Sequence, residues 1–408
     1  MKRRQFLRTV ALASATTGFV GLHGRLGHTA AVSRQKRLIV VFLRGGVDGL
    51  NVVIPYQEAA YYQVRPSIAI PRPGAPGGAI DLDGYFGLHP ALAGLIPFWQ
   101  QSKLAFVHAC GSPDGTRSHF DAQNYMENGT PGLRSTSSGW MNRLVAALPG
   151  ASPIRAVTVG ATIPWILQGQ TQVANLSLGF AATSPVALDR DQVRAGFDRL
   201  YQESVLSRAY RTGLEVRKTQ LNALAEEPVR QTVSQMSNSS PSHFTRTCEQ
   251  VARLMVQESQ IRLAFLETSG WDTHVDQGGS SGLMADRLET VGKGLAALAQ
   301  GLGPVFADTV IAVLSEFGRT VQENGNGGTD HGYGNALWLL GGGIRGGKVY
   351  GDWRGLEDSQ LHEGRELPVT TDFRDPIAML LQQHMGIESA SLRQVFPNHT
   401  LNDSLNLI

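Results

Sequence analysis

Residues 309–340 read TVIAVLSEFGRT (309–320), VQENGNGG (321–328) and TDHGYGNALWLL (329–340). A continuous apolar run, Val310 to Leu314, stops at Ser315-Glu316. A polar, glycine-rich loop follows, and Asp330-His331 stand just before a second apolar run, Ala336 to Leu340. Continuous apolar runs bounded by glycine are the pattern of strands buried on both faces. On that reading Glu316 and the Asp330-His331 pair project from strand ends into one crevice. A carboxylate facing an imidazole–carboxylate pair is a setting for metal-assisted chemistry. The competing reading is a plain loop whose Asp and His bond their own backbone.

The same pattern recurs along the chain. Arg37 to Leu43 (RLIVVFL) is a strand that ends in RGGVDGLN, which places Asp48 at its carboxyl end. Leu104 to Cys110 is a strand opening into a polar loop and then a helix, with Arg117, Ser118 and His119 at the junction. Ser118 falls at the N-cap with Asp121 three residues on, which is close to a capping box. The same hydroxyl lies where free N–H groups and the positive end of a helix dipole favour an anion. It therefore reads as a cap or as a nucleophile. Ile261 to Leu266 is a strand followed by ETSGWDTH, where Asp272 and His274 are two apart and share one face of an extended chain.

Strands at 37–43, 104–109, 261–266 and 309–314 alternate with helical patterns at 90–99, 189–218, 244–257 and 283–302. The expected fold is α/β, a largely parallel central sheet with helices on both faces. Each polar cluster follows the carboxyl end of a strand, the edge at which open α/β sheets bind ligands. Carboxylates with two histidines suit zinc first, with manganese, magnesium or calcium as alternatives. Gly341 to Tyr350 is glycine-rich but lacks the phosphate-loop pattern. A last helix is expected from about Thr371 to His384, with Asp372 capping it or pairing with an arginine, and residues from Phe396 onward read as a tail.

The first residues, MKRRQFLR, carry Arg3-Arg4 before Phe6-Leu7, the pattern of a twin-arginine export signal, with a weakly apolar stretch to Leu22 and small residues Thr29 to Ala31. Residues 1–31 are expected to be removed, leaving 32–408 as a single periplasmic or secreted domain. The twin-arginine translocase is then a partner during export. No later run is long and apolar enough for a membrane helix. Residues 1–31 hold five of the 36 basic residues and none of the 34 acidic ones, so the remainder has a net charge of −3. Nothing in that balance suggests a nucleic-acid groove. Cys110 and Cys248 form no metal or redox motif.

Seven segments, VVFLRGGVDGLN, RSHFDAQNYME, ETSGWDTH, LSEFGRT, GTDHGYGNA, GGKVYGDW and VTTDFRD, resemble in their order the exported bacterial domain-of-unknown-function family 1501. That family is similar to the alkaline phosphatase and sulfatase superfamily. The resemblance implies an alkaline-phosphatase-like sheet with metals at the strand ends. Asp48 matches the first-strand ligand, and Ser118, with Thr116 as the alternative, matches the nucleophile. Asp272, His274, Glu316 and His331 match the remaining ligands. Arg117 or Arg319 would balance transition-state charge. Two departures stand out: Asp272 and His274 are closer together than the superfamily's Asp-x-x-x-His, and Phe317 replaces a usual His. One ligand of a two-metal site is thus absent unless Asp330 or Asp276 supplies it, or else the site holds one metal. The implied activity is metal-dependent hydrolysis of phosphate or sulfate esters, acting on a small anionic ester or glycan ligand. The alternatives are a non-catalytic envelope-binding protein and a structural one on the same fold.

Overall fold

The computed structural model describes residues 35–150, 152–176, 185–223 and 242–408. The expected export signal at 1–31 and the Gln/Ser-rich stretch 227–241 lie outside them. Among the described residues twelve strands occur in chain order: β1 (Arg37–Arg44), β2 (Val53–Ile54), β3 (Ile80–Asp81), β4 (Gly87–Leu88), β5 (Leu104–Gly111), β6 (Ala156–Val159), β7 (Ala174–Leu176), β8 (Leu263–Ser269), β9 (Thr309–Leu314), β10 (Asn335–Gly341), β11 (Lys348–Tyr350) and β12 (Thr371–Asp372). Nine build one sheet in the order β11-β5-β10-β9-β1-β8-β6-β7, with β12 also on β5; β2, β4 and β3 form a small second sheet.

β1 shows why the sheet is central. Ile39, Val41 and Leu43 enter one apolar cluster with Trp99, Met255, Leu288 and Leu295. Leu38, Val40 and Phe42 enter another with Trp140, Leu144, Ile377 and Leu380. Successive side chains of a strand point to opposite faces, so an unbroken apolar run demands cover on both. Each such side chain contributes about 1.5–3 kcal/mol on burial. Helices Ser242–Gln257 and Leu283–Leu302 cover the first face. Helices Trp140–Ala147, Arg374–Met379 and Ser389–Val395 cover the second. The α/β sheet with helices on both faces is therefore the fold.

β1 pairs in parallel with β8 and β9, and β5 in parallel with β11 and β12. β10 is antiparallel to both β9 and β5. This reversal matters for the site. β9 ends, the chain turns through residues 315–334, and β10 begins at the same sheet edge where β9 finished. The loop folds back on itself as a ladder: Arg319 bridges His331, and Thr320 N–H donates to Asp330 O at 3.0 Å. His331 is thereby delivered to the carboxyl edge of the parallel strands.

Local departures from the sequence reading have simple causes. The run 90–99 is a 3-10 turn, Pro90–Leu95, followed by a short α-helix, Ile96–Gln100, with His89 accepting from Ala91 N–H at its start. Helix Arg374–Met379 continues as a π turn over Leu380–His384, and a further helix, Ser389–Val395, follows. Residues after 396 are no tail, because Phe396 and Leu407 are buried in the second cluster. Asp372 both accepts from Arg374 N–H and pairs with the Arg374 guanidinium. Cys110 and Cys248 are buried free thiols in the clusters on opposite faces of the sheet. No helix among the described residues is long and apolar enough to cross a membrane.

Candidate metal centre

Three loops and one helix meet at the carboxyl edge of the sheet. β8 runs into Trp271-Asp272-Thr273-His274, β9 runs into Ser315-Glu316, the folded-back loop supplies Asp330-His331, and β5 leads to helix His119–Asn128. Gly45, just after β1, makes the meeting possible. Its φ is +124°, and a Cβ there would stand 2.6 Å from the backbone nitrogen of Asp272. Only glycine lets the two loops approach this closely.

Four donor atoms converge. His331 Nε2 lies 3.0 Å from His119 Nε2, 3.0 Å from His274 Nε2 and 3.1 Å from Asp272 Oδ1. Asp272 Oδ1 lies 2.9 Å from His274 Nε2 and 3.4 Å from His119 Nε2. Donors around a tetrahedral zinc, with bonds of about 2.0–2.1 Å, stand roughly 3.3 Å apart.

The far side of each imidazole decides the chemistry. His119 Nδ1 is 2.8 Å from Glu316 Oε1, His274 Nδ1 is 3.2 Å from Asp330 Oδ1, and His331 Nδ1 is 2.8 Å from the carbonyl of Arg117. All three partners are acceptors, so each Nδ1 carries the hydrogen and each Nε2 presents a lone pair inward. Three inward lone pairs and a carboxylate oxygen at contact distance repel one another unless a cation sits among them. Charge agrees: Asp272, Glu316 and Asp330 against Arg319 leave −2, which one dication neutralises. The residues fit a single divalent metal.

The surroundings tune the donors. The hydrogen bond to Glu316 raises the basicity of His119, whereas burial, with Arg319 and His119 nearby, lowers that of His331. Burial opposes ionisation of Asp272, but the hydrogen bond and charge of Arg319, then His274 and His331, hold its carboxyl down at about 2. Burial likewise opposes ionisation of Glu316, yet the hydrogen bonds from His119 and Gln123 and from backbone N–H groups keep it low. Asp330 is held down chiefly by Asn324.

The structure separates the sequence candidates by role. Asp272, His274 and His331 are brought together as donors. Glu316 does not face the centre. Its Oε1 accepts from His119, from Gln123 Nε2 and from Gly45 N–H, each at 2.8 Å, so it orients a donor instead. Asp330 plays the corresponding part for His274. Asp48 departs furthest from its expected ligand role. It is 1% exposed, and Arg65 grips it through Nη1 at 2.6 Å and Nη2 at 3.1 Å while Gln277 donates at 2.7 Å. A guanidinium takes the place at Asp48 that a cation would need. Asp276 takes no part in the group of donors.

Both guanidinium groups are engaged by protein partners. Arg319 is buried and donates to the carbonyls of Gly45, Gly46, Trp271 and Thr329 as well as to Asp272 at 2.6 Å. It fixes the loops. The Arg117 guanidinium is neutralised by Glu363 at 2.6 Å and Glu366 at 2.7 Å, and the residue serves the site through its carbonyl. Ser118 is the N-cap of its helix, with Asp121 N–H 3.5 Å from its hydroxyl. The residue that sequence reading left without a role is His119, a donor, together with Gln123 one helical turn on. Their i, i+4 spacing at the start of a strand-end helix was the available signal.

A cleft of about 710 Å³ lies elsewhere, between residues 163–175 and helix Ser207–Ala223; Arg217 is the one charged residue among the described residues that line it. Among the described residues it holds no cluster of titratable groups like the one at the strand edge.

No curated protein sequence matches the chain. Among solved structures it is similar to a protein in the alkaline phosphatase superfamily from Vibrio parahaemolyticus, at 10% identity and a TM-score of 0.39, covering 78% of this chain and 62% of that one. It is also similar to the lipoteichoic acid synthase LtaP from Listeria monocytogenes, at 9% identity and a TM-score of 0.37, covering 92% and 76%. A third is the C-terminal periplasmic domain of EcEptC from Escherichia coli, in complex with zinc, at 8% identity and a TM-score of 0.33, covering 75% and 73%. At these scores none assigns a residue or an activity to this chain. The family model described as protein of unknown function (DUF1501) matches residues 99–396, and the chain belongs to that family.

Proposed function

We propose that this protein is a metal-dependent hydrolase of phosphate or sulfate esters. The observation that carries the reading is the convergence of His119, Asp272, His274 and His331 at the carboxyl edge of the sheet, each imidazole turned inward by an acceptor on its Nδ1. A nitrogen-rich donor set favours zinc, with manganese, magnesium or calcium as alternatives. A divalent metal bound there supplies Lewis acidity toward an ester oxygen. The centre is mononuclear, since Asp48 and Glu316 are committed to Arg65 and to His119.

In this reading Ser118 is the nucleophile. It immediately precedes His119, is partly exposed, and is held only by a 3.5 Å capping contact that a turn of the hydroxyl releases. The helix start beside it offers backbone N–H groups and the positive end of a dipole to an anionic ester. Ser118→Ala should abolish turnover of p-nitrophenyl phosphate or sulfate with metal content intact, at a stability cost of about 1 kcal/mol for the lost cap. Undiminished turnover in that variant would remove Ser118 from the mechanism. One observation favours a second reading. With His274 as a fourth protein donor no coordination position is left open, as in a metal site that stabilises a rim binding anionic glycans without turnover. Metal-loaded wild-type protein inert toward both ester classes, yet binding a sulfated or phosphorylated glycan, would select it.

Export belongs to the same proposal. Arg3-Arg4 support passage through the twin-arginine translocase to the periplasm or beyond. Arg3→Lys/Arg4→Lys should strand the protein in the cytoplasm on cell fractionation, and equal periplasmic amounts of both forms would refute that route.

A further inference from the structure

The four donors are not held alike. His119 is anchored to a buried Glu316 that itself takes three further hydrogen bonds, from Gly45 N–H, Gln123 and the Ser315 hydroxyl. His331 is anchored to a backbone carbonyl and sits in the ladder opposite Arg319. Asp272 is anchored by Arg319, whose side chain is 0% exposed. His274 differs. Its Nδ1 contact to Asp330, 3.2 Å, is the longest of the three imidazole anchors, and the two side chains are 38% and 52% exposed. The three residues whose donor atoms all lie within 4.8 Å of one another are His119, Asp272 and His331. His274 adds contacts to Asp272 and His331.

We infer that His274 is an exchangeable fourth ligand, closing the centre at rest and giving up its place to a tetrahedral oxyanion, the phosphate or sulfate group of the substrate. The inference rests on the proposed function and deepens it. A catalytic centre keeps three protein ligands and one position for substrate, whereas four fixed donors make a closed, structural one. His119, Asp272 and His331 are the three that stay. The exchange swaps one lone-pair donor for another: the Nε2 bond breaks, an oxyanion bond forms, and no proton or electron changes hands. The displaced ring stays at the rim, because Asn324 donates both to Asp330 at 3.1 Å and to the carbonyl of His274 at 2.9 Å. Nearby, the start of helix His119–Asn128 favours the incoming negative charge.

The apparent affinity for such an anion is reduced by the fraction of molecules in which the position is free. Removing the competing imidazole restores the intrinsic value, so a position free one time in ten or less gives a gain of about tenfold or more. The test uses protein loaded with cobalt(II) and inorganic phosphate as the probe. His274→Ala should keep one metal per chain, and His119→Ala and His331→Ala should lose it. Phosphate should bind the loaded His274→Ala protein about tenfold more tightly than loaded wild type by calorimetry. The visible spectrum of the wild-type cobalt protein should shift on adding phosphate toward that of phosphate-saturated His274→Ala. Metal loss from His274→Ala equal to that from His119→Ala, in a protein with an unchanged circular dichroism spectrum, would make His274 a permanent ligand and overturn the inference while leaving the metal centre standing. Unchanged phosphate affinity would overturn it as well. Wild-type protein that takes up no metal would instead end the reading of the site itself.

Discussion

His331→Ala should reduce a wild-type content of one metal per chain to a trace. His331 Nε2 stands in contact with all three other donors, so its loss opens the middle of the set rather than its margin. If binding of a tetrahedral metal is worth about 10–16 kcal/mol in total, a quarter share is roughly 3 kcal/mol, or about two orders of magnitude in Kd. Glu316→Gln should do less. It keeps an acceptor for Gly45 and for His119 but removes the charge behind the imidazole, and loss of such a partner typically weakens binding about 10–100-fold. Mass spectrometry on protein purified without chelator gives the stoichiometry. Titration against a chromogenic chelator gives the graded affinities. Added metal should also raise the unfolding free energy of the wild type, by about 2.7 kcal/mol at 100 times its Kd, and that of His331→Ala by only about 0.4 kcal/mol at the same concentration. A metal-free wild type, or a His331→Ala variant that binds as well as the parent, sinks the centre.

Much of this fold is legible in the chain because its strands are buried on both faces. Arg37 to Leu43 and Val310 to Leu314 are unbroken apolar runs, and helix Leu283–Leu302 declares itself by periodicity. The rim was legible for the same reason: polar clusters interrupt the pattern only where strands end. What the chain hides are partnerships that exist only in three dimensions. Arg65 lies 17 residues from Asp48 in a segment without a clear pattern, and nothing local announces that it will neutralise that carboxylate. Ser118 and His119 compete for notice at one helix start, and the capping pattern directs attention to the hydroxyl although the neighbouring imidazole is the donor. Phe317, in a place where the resemblance leads one to expect a histidine, also has a physical reading. Its ring packs 4.7 Å from that of His119 and 4.9 Å from that of His331, so it positions two donors instead of adding one. The direction of β10 is hidden too, since an apolar run does not say which way it will be laid.

Asp48→Asn should cost about 3–5 kcal/mol of stability, the usual penalty for breaking a buried ion pair by removing one charge, while each folded chain keeps its metal. The expectation follows from what the guanidinium would be left with. Arg65 is 0% exposed, and its other donors are spent on Asn51 and on the carbonyls of Thr320 and Val321. Desolvation lowers the pKa of Arg65, and the charge and hydrogen bond of Asp48, together with Tyr61 and Glu323, more than offset it. An amide in place of the carboxylate retains one acceptor but no charge, so the cation stays buried and uncompensated. The substitution also leaves the bonds to Thr320 and Val321 in place, and with them the loop that carries Arg319 and His331. Stability and metal content therefore separate in this variant. A carboxylate that served as a ligand would behave the other way, with metal lost and only a modest change in the denaturation midpoint of the metal-free protein. Denaturant unfolding of the metal-free form, paired with metal analysis of the folded fraction, distinguishes the two. Intact metal with a large loss of stability means that the aspartate after the first strand serves Arg65 and not a metal. Lost metal with little change in stability returns Asp48 to the centre and makes room for a second ion.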